Sequence, residues 1–271
     1  MGRALELIAG QALGPGTTFT GLTMGAGNTL TVRNAREGTD IRLLQAWTDT
    51  VAVGTLRIRS PRLHDNVRGI QLDTIVSQVH PRLPDGTMQR LYPQDLLIAE
   101  LTGSATGTVR EGAAMLIYYA DILGVDARLA TWEQIRDRIQ HYMTVENLLS
   151  LGTGGLYTGE EQINADVDLW KPNTDYALIG YYVDTECLCV RWRGADTGNF
   201  GLGGPGADDL PHLTAGWFKR LSMHTGLPLI PIVNSAGKAG FLIDGMQDEG
   251  GVDVTVTSIF AELSPGQLPA R

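Results

Sequence analysis

The segment AWTDT at residues 46–50 reappears in altered form as YYVDT at residues 181–185. Two further pairs keep the same order along the chain: LRIR at residues 56–59 with VRWR at residues 190–193, and YADI at residues 119–122 with FAEL at residues 260–263. In LRIR the apolar and polar side chains alternate, which is typical of a β-strand with one buried face. The partners lie 134 to 141 residues apart, so their order is kept while the loops vary in length. We interpret the pattern as one β-rich unit used twice.

The composition agrees with two folded, mainly β units. The chain has 271 residues, of which 43% are hydrophobic and 19% charged, which is enough to bury a core in each of two domains. Its 34 glycines suit the turns between many short strands. We predict a first unit over residues 1–122, a helix and connector over residues 123–173, and a second unit over residues 174–271.

A helix is predicted between the two units. Thr131 is a candidate N-cap, and Gln134 three residues later completes a capping box. Trp132, Ile135 and Ile139 recur at helical spacing, and the pattern runs on to a stop at Gly152. We expect this apolar stripe to be buried where the two units meet.

Each unit is also expected to hold one internal helix at a matching place. In the first unit this is a short helix over residues 74–79, capped by Asp73 and stopped by Pro81. In the second unit it begins at Thr214 and runs through His224. The glycine-rich residues 194–206 are predicted to form a long surface loop.

The histidines and serines give no catalytic pattern. No two of the histidines have the His-x-His or HExxH spacing of a metal site, and the G-x-S-x-G elbow of a hydrolase is missing. His141 and His224 fall on predicted helices and are interpreted as surface residues. The five histidines are His64, His80, His141, His212 and His224.

Three other patterns are interpreted as structural. The run GLGGPG at residues 201–206 lacks the Lys-Ser/Thr of a phosphate-binding loop. The acidic pairs at residues 208–209 and 248–249 could hold calcium, but adjacent surface acids usually bind nothing specific. Three tryptophans are expected to be core anchors, not a sugar-stacking platform: Trp47, Trp192 and Trp217.

The cysteines, the first residues, the apolar stretches and the net charge indicate the environment expected for the chain. Cys187 and Cys189 are too few and too close for a disulfide framework, so we expect two packed thiols and synthesis in a reducing cytoplasm. The start of the chain does not read as a secretory signal, and no apolar stretch approaches the length of a membrane span. The net charge of −9 argues against a nucleic-acid-binding surface.

Two β units, each with a late helix and joined by a capped helix and a polar connector, form an order of elements that resembles a known family. It is similar to the double jelly-roll major capsid proteins of icosahedral, membrane-containing bacterial viruses, especially the corticovirus-like type. The closest points are residues 27–32 leading to residues 53–59, the stretch 131–172, and the terminal strand at residues 252–263.

The resemblance implies a mainly β fold of two tandem jelly-roll barrels or sandwiches joined by a helix and connector. It implies a capsid protein that forms homotrimeric, pseudo-hexameric capsomers in the virion and is made in the host cytoplasm. The implied partners are other copies of the chain, with minor capsid proteins and an internal membrane as further candidates and no direct nucleic-acid contact. It implies no enzyme activity, no cofactor and no catalytic or metal-binding residue.

Two other classes of function remain open on the sequence. One is a decoration, spike or carbohydrate-binding β protein, which would need an exposed aromatic groove. The other is an enzyme with a jelly-roll or sandwich fold whose site is assembled from residues far apart in the sequence.

Overall fold

The computed structural model describes residues 2–25, 27–33, 35, 39–63, 66–76, 78–122, 124–152, 155–163, 168–247 and 251–265. The fold is mainly β, and every strand pairing is antiparallel. No helix in these ranges is long and apolar enough to cross a membrane.

Nine strands form the part of the chain that we call the first unit. They are β1 (Ala4–Leu13), β2 (Thr20–Gly21), β3 (Thr23–Met24), β4 (Ile41–Asp49), β5 (Thr55–Arg59), β6 (Ile70–Asp73), β7 (Gln89–Leu91), β8 (Ile98–Thr102) and β9 (Arg110–Tyr119). One sheet has the order β3-β1-β9-β4-β7 and the other β2-β8-β5-β6.

The following elements form the second unit. Its strands are β10 (Leu129–Ala130), β11 (Ile139–Leu151), β12 (Thr158–Gln162), β13 (Asp175–Val183), β14 (Cys187–Arg193), β15 (Leu202–Gly206), β16 (Ile230–Asn234), β17 (Leu242–Met246) and β18 (Val252–Leu263). Its helices are α1 (Trp132–Ile135), α2 (Pro211–Thr214) and α3 (Trp217–Thr225), with 3₁₀ turns at Arg136–Arg138, Ala195–Thr197 and Ser235–Gly240. The two sheets have the orders β10-β16-β13-β18-β11 and β12-β17-β14-β15.

The two units have the same strand order. The series β1-β9-β4-β7 and β2-β8-β5-β6 in the first unit corresponds, strand for strand, to β11-β18-β13-β16 and β12-β17-β14-β15 in the second. Eight antiparallel strands in two four-stranded sheets of this order form a jelly roll. The repeated segments of the sequence fall on equivalent strands, namely β4 and β13, β5 and β14, and the ends of β9 and β18. The expected equivalence of these strands is confirmed.

The units pack through unlike faces. On β1, Ala4 and Ile8 point into the core of the first unit, while Leu5 and Leu7 join a cluster that continues into the second unit. The sheet containing β1, β9 and β4 is therefore buried on both faces. Its outer face meets the outer face of the second unit's β14-β15 sheet, where the Leu7 amide donates to the Gly201 carbonyl at 2.7 Å.

The predicted helix after Thr131 is far shorter than expected. Its capping box is present, since Thr131 Oγ1 accepts from the Gln134 amide and Gln134 Oε1 accepts from the Thr131 amide. However, α1 ends at Ile135, and the chain enters β11 at Ile139. From Val145 to Leu151 buried and exposed residues alternate, and β11 pairs with β18 along its length. This period of two, reinforced by strand pairing, outweighs the helical spacing of the first few residues.

The strands β11 and β12 thus occupy much of the stretch that the sequence assigned to a helix and connector. Both belong to sheets of the second unit. Ile135 is fully buried in the cluster that spans the two units, as expected. Trp132 and Ile139 are only partly buried against it.

The internal helices also differ from expectation. The described part of residues 74–79 is not helical. Its ends are bonded to other segments: Thr74 Oγ1 accepts a hydrogen bond from the Gly54 amide, and the Val79 amide donates one to Glu186 of the second unit. In the second unit the helix is interrupted, and Thr214 ends α2 instead of capping α3.

The glycine-rich residues 194–206 are not a surface loop. They include β15, whose five residues are all buried. A Cβ at Gly203 would lie 2.0 Å from the Val190 carbonyl oxygen, and one at Gly204 would lie 2.2 Å from the Tyr181 hydroxyl. These glycines allow neighbouring atoms to pack closely against the strand. From composition alone, glycines that serve close packing look the same as glycines in a flexible loop.

Candidate functional site

Two arginines and one carboxylate form an ion-pair cluster on the second unit, which we call the inner triad. Arg191 on β14 and Asp244 on β17 are opposite each other in strand register. The Arg191 guanidinium donates to Asp244 through two nitrogens, at 2.8 and 2.6 Å. Arg193, two residues along β14, also pairs with Asp244 at 3.4 Å and with Glu160. The guanidinium of Arg191 lies 3.4 Å from the centroid of the Tyr157 ring, which is cation–π geometry.

The first unit carries an equivalent cluster, which we call the outer triad. Arg57 on β5 lies opposite Glu100 on β8 and donates to it at 2.8 Å. Arg59, two residues along, donates to the same carboxylate twice, at 3.0 Å each time. The guanidinium of Arg57 lies 3.7 Å from the centroid of the Phe19 ring.

The two triads match part by part. The arginines occupy equivalent strands β5 and β14, and the carboxylates occupy equivalent strands β8 and β17. The aromatic residue immediately precedes equivalent strands as well, Phe19 before β2 and Tyr157 before β12. The internal repeat therefore extends from strand order to a specific arrangement of side chains.

The first unit lies over part of the inner triad. It lines a cleft of about 550 Å³ between the units, to which the first unit contributes Glu6, Leu7 and Arg33. Arg33 pairs with Glu6 at 2.5 Å across from the triad. In the first unit, Asn28 Oδ1 accepts a hydrogen bond from the Tyr157 hydroxyl at 3.0 Å and another from the Ala9 amide. The cleft thus contains ion pairs from both units, and each of these pairs joins two residues of the same unit.

The outer triad has only first-unit neighbours among the bonds that the structure describes. Arg57 and Arg59 donate to the carbonyls of Val67 and Asn66 in the following loop. The side chains of Arg57, Arg59 and Glu100 are 18%, 25% and 12% exposed. In the inner triad the exposure is 11% for Arg191, 36% for Arg193 and 4% for Asp244. The hydrogen bond from Arg59 is the main cause that lowers the pKa of Glu100, so the carboxylate is charged at neutral pH. The triad carries two positive charges and one negative charge at the surface.

A tryptophan fixes the centre of the junction between the units. Trp47 on β4 is fully buried, and its Nε1 donates to the Leu188 carbonyl of the second unit at 2.8 Å. Its ring meets Trp217 of α3 edge-to-face, with centroids 6.0 Å apart. Such a pair adds about 0.5–1.5 kcal/mol beyond the burial of its area.

An acidic group lies at one end of the same junction. Glu186, in the turn before β14, accepts the Val79 amide of the first unit at 2.6 Å. Burial, and then the neighbouring carboxylate of Asp49, raise the pKa of Glu186 to about 7, with smaller contributions from Asp208 and Asp209. Protonation of Glu186 near neutral pH therefore reduces repulsion between the two units.

The candidate residues from the sequence are dispersed. His80 contacts Asp209 at 3.2 Å and His224 contacts Asp85 at 3.2 Å, while His141 lies exposed on β11 and not on a helix. His64 and the pair at residues 248–249 lie outside the described residues. Within the part of the chain that the structure describes, no group of three or more His, Cys, Asp or Glu side chains could hold a metal ion.

The tryptophans and cysteines behave as the sequence predicts. Trp47, Trp192 and Trp217 are each fully buried, so none of them offers a sugar-stacking face. Cys187 and Cys189 are both fully buried. Burial raises the pKa of the Cys189 thiol to about 12.

The two triads were not identified as sites from the sequence, although their arginines lie in the repeated LRIR and VRWR segments. A further repeat could have extended the match, because FTG at residues 19–21 parallels YTG at residues 157–159. Those segments hold the aromatic partners of the triads. The carboxylates Glu100 and Asp244 have no comparable local signal, since their flanking residues differ.

No protein-family model matches the sequence, and no curated protein matches it. Three solved structures are similar in fold at low TM-scores. The PBSX exported protein XepA has 12% identity and a TM-score of 0.26, over 94% of this chain and 86% of that chain. The STIV MCP has 10% identity and a TM-score of 0.24, over 96% and 97% of the two chains. The major capsid protein P2 from bacteriophage PM2 has 8% identity and a TM-score of 0.23, over 98% and 100%.

Proposed function

We propose that this chain is a viral structural protein, a double jelly-roll major capsid protein that self-associates into trimeric, pseudo-hexameric capsomers. The observation that carries the proposal is the packing of two equivalent jelly rolls through unlike faces. The outer face of the β1 sheet in one unit meets the outer face of the β14 sheet in the other. Such a contact is heterologous, and repetition of a heterologous contact makes a ring when the rotation closes.

A trimer fits this geometry. Three chains with two similar units each place six jelly rolls around one axis, which approximates sixfold symmetry and suits a flat lattice. Permanent contacts of this kind bury on the order of 2,000 Å² or more in total. Other copies of the chain are thus the main partner, minor capsid proteins and an internal membrane are further candidate partners, and the assembled product is a virion shell.

A structural role also fits the chemistry of the interior. The buried ion pair Arg191–Asp244 joins two neighbouring strands of the second unit. The cleft between the units is lined by paired charges. In this role the chain has no enzymatic reaction to perform.

The test is the mass and shape of the purified protein. Sedimentation velocity and light scattering should give a trimer of about 88 kDa, three times the 29.2 kDa of one chain, and negative-stain images should show hexagonal particles or shells. A stable monomer at micromolar concentration, with no larger species at any salt concentration, would overturn the proposal.

A further inference from the structure

We infer that the outer triad is the docking site for the outward face of β11, β18 and β13 on a second copy of this chain. The inference rests on the proposed self-association and names the two surfaces that would meet. Within one chain the equivalent contact already exists, because the first unit's β1 lies over part of the inner triad.

The equivalence of strands identifies the missing cover. In the chain, β1 lies over the inner triad, and its counterpart in the second unit is β11. The strand β11 is at the edge of its sheet, and its outward residues are exposed. One chain therefore carries one triad whose described neighbours all belong to the first unit, with Arg59 25% exposed, and one exposed counterpart of β1. A second copy supplies each with its partner.

Register places an acidic residue against the arginines. Leu7, which lines the cleft at the inner triad, pairs with Leu116 of β9. Glu146 of β11 pairs with Thr257 of β18. Leu116 and Thr257 each lie three residues before the repeated segments that begin at residues 119 and 260. Glu146 thus stands where Leu7 stands, exposed, and its charge is opposite to the net charge of the outer triad.

Apolar side chains on the same face supply area for a contact. Tyr142 and Leu148 of β11 are 60% and 58% exposed, and Tyr182 of β13 is 40% exposed. In the repeated segments Tyr182 holds the place of Trp47, which is the fully buried residue at the centre of the internal junction. Exposed tyrosines and a leucine around one charged contact are typical of the anchors of protein interfaces.

The experiment is a double-mutant cycle on assembly. Glu146→Arg places a positive charge opposite Arg59, while Arg59→Gln removes the charge that it would meet. The control is Glu133→Arg, the same substitution at an exposed position on α1, an element that belongs to neither of the two proposed surfaces. Association is measured by sedimentation velocity over a concentration series, and thermal melting of each variant checks that it is folded.

We expect E146R to lower the association constant about tenfold or more, since like charges across an interface are costly. E133R should assemble as the wild type does. In the R59Q background the loss caused by Glu146→Arg should be much smaller, because the opposing charge is gone.

Three results separate the possibilities. If wild-type protein assembles and E146R assembles equally well, the docking surfaces are wrong while the proposed function stands. The same conclusion follows if E146R loses the same affinity with and without Arg59. If the wild type remains a monomer at every concentration, the proposed function fails, and the docking inference fails with it.

Discussion

The substitution Trp47→Phe tests whether the two jelly rolls are held at a fixed angle by the tryptophan between them. The indole Nε1 donates to the Leu188 carbonyl at 2.8 Å, and both groups are fully buried. Phenylalanine keeps the apolar ring but cannot donate, so the carbonyl is left without this partner. An unpaired buried polar group costs about 1–3 kcal/mol.

The smaller ring adds a second loss, because part of the edge-to-face contact with Trp217 disappears. With about 0.5–1.5 kcal/mol for such a contact, the free energy of unfolding should fall by about 2–4 kcal/mol in total. For a chain of this size that corresponds to a decrease in Tm of roughly 4–8 °C.

Trp192→Phe is the matched control. Trp192 is also fully buried, and its Nε1 donates to Ser258 Oγ at 3.0 Å, but donor and acceptor both belong to the second unit. Urea denaturation followed by circular dichroism should show a comparable loss of stability in the two variants. Only W47F should also assemble poorly, because a subunit whose two halves can rotate cannot repeat one contact around a ring.

Two outcomes would refute this reasoning. If W47F changes the free energy of unfolding by less than about 0.5 kcal/mol, the buried hydrogen bond does not contribute as a bond of this kind should. If W47F and W192F lose equal stability and both assemble like the wild type, Trp47 is one more core residue and does not set the angle between the units.

Three further predictions follow from the junction and the core. Gly203→Ala should lower the free energy of unfolding by about 1–3 kcal/mol, because the new Cβ would lie 2.0 Å from the Val190 carbonyl oxygen. The control Gly216→Ala places its Cβ in open space and should melt like the wild type. Equal melting of the two variants would contradict the close packing of β15. The pKa of Glu186 is raised from 4.5 to about 7, so its contribution to stability is complete below about pH 4.5 and is lost as pH rises through 7. The wild type should therefore show a decline in Tm between pH 5 and pH 8 that Glu186→Gln removes. An unchanged pH profile in the variant would exclude this role. Cys189, whose pKa is raised to about 12 by burial, should not react with a disulfide reagent at pH 8 until urea unfolds the chain, and rapid labelling of the native protein would contradict its burial.

The repeat was the most reliable sequence signal because it compares the chain with itself. The LRIR and VRWR segments lie on equivalent strands, and their alternation of apolar and polar residues matches the burial of both strands' apolar positions. Residues 115–119 form an unbroken apolar run, which is typical of a strand buried on both faces, and all five of these residues are buried in β9. Local patterns of this kind predict where a strand lies and which of its side chains are buried.

The failures came where contacts between residues far apart in the sequence decide the structure. The glycines at residues 201–206 are needed because the preceding strand β14 and also Leu7 of β1, far earlier in the chain, approach them closely. The stretch after Ile135 is a strand because β18, more than a hundred residues later, pairs with it. Such contacts override local propensity, and one sequence without its relatives does not reveal them.

The differences between the two triads follow from when each contact forms. The junction inside the chain forms during folding, so the position of Leu7 opposite Leu116 can be apolar and the cleft can be closed once. The proposed contact between chains forms after folding, and until then both surfaces face water. At the equivalent position Glu146 pairs with Thr257, and both side chains are compatible with solvent.

A large apolar face there would promote unspecific association before assembly. A charge that meets the arginines of the outer triad gives a weaker contact but a selective one. A polar pair at Glu146 and Thr257, on the same face as exposed Tyr142 and Leu148, is thus what the proposed contact between chains would need.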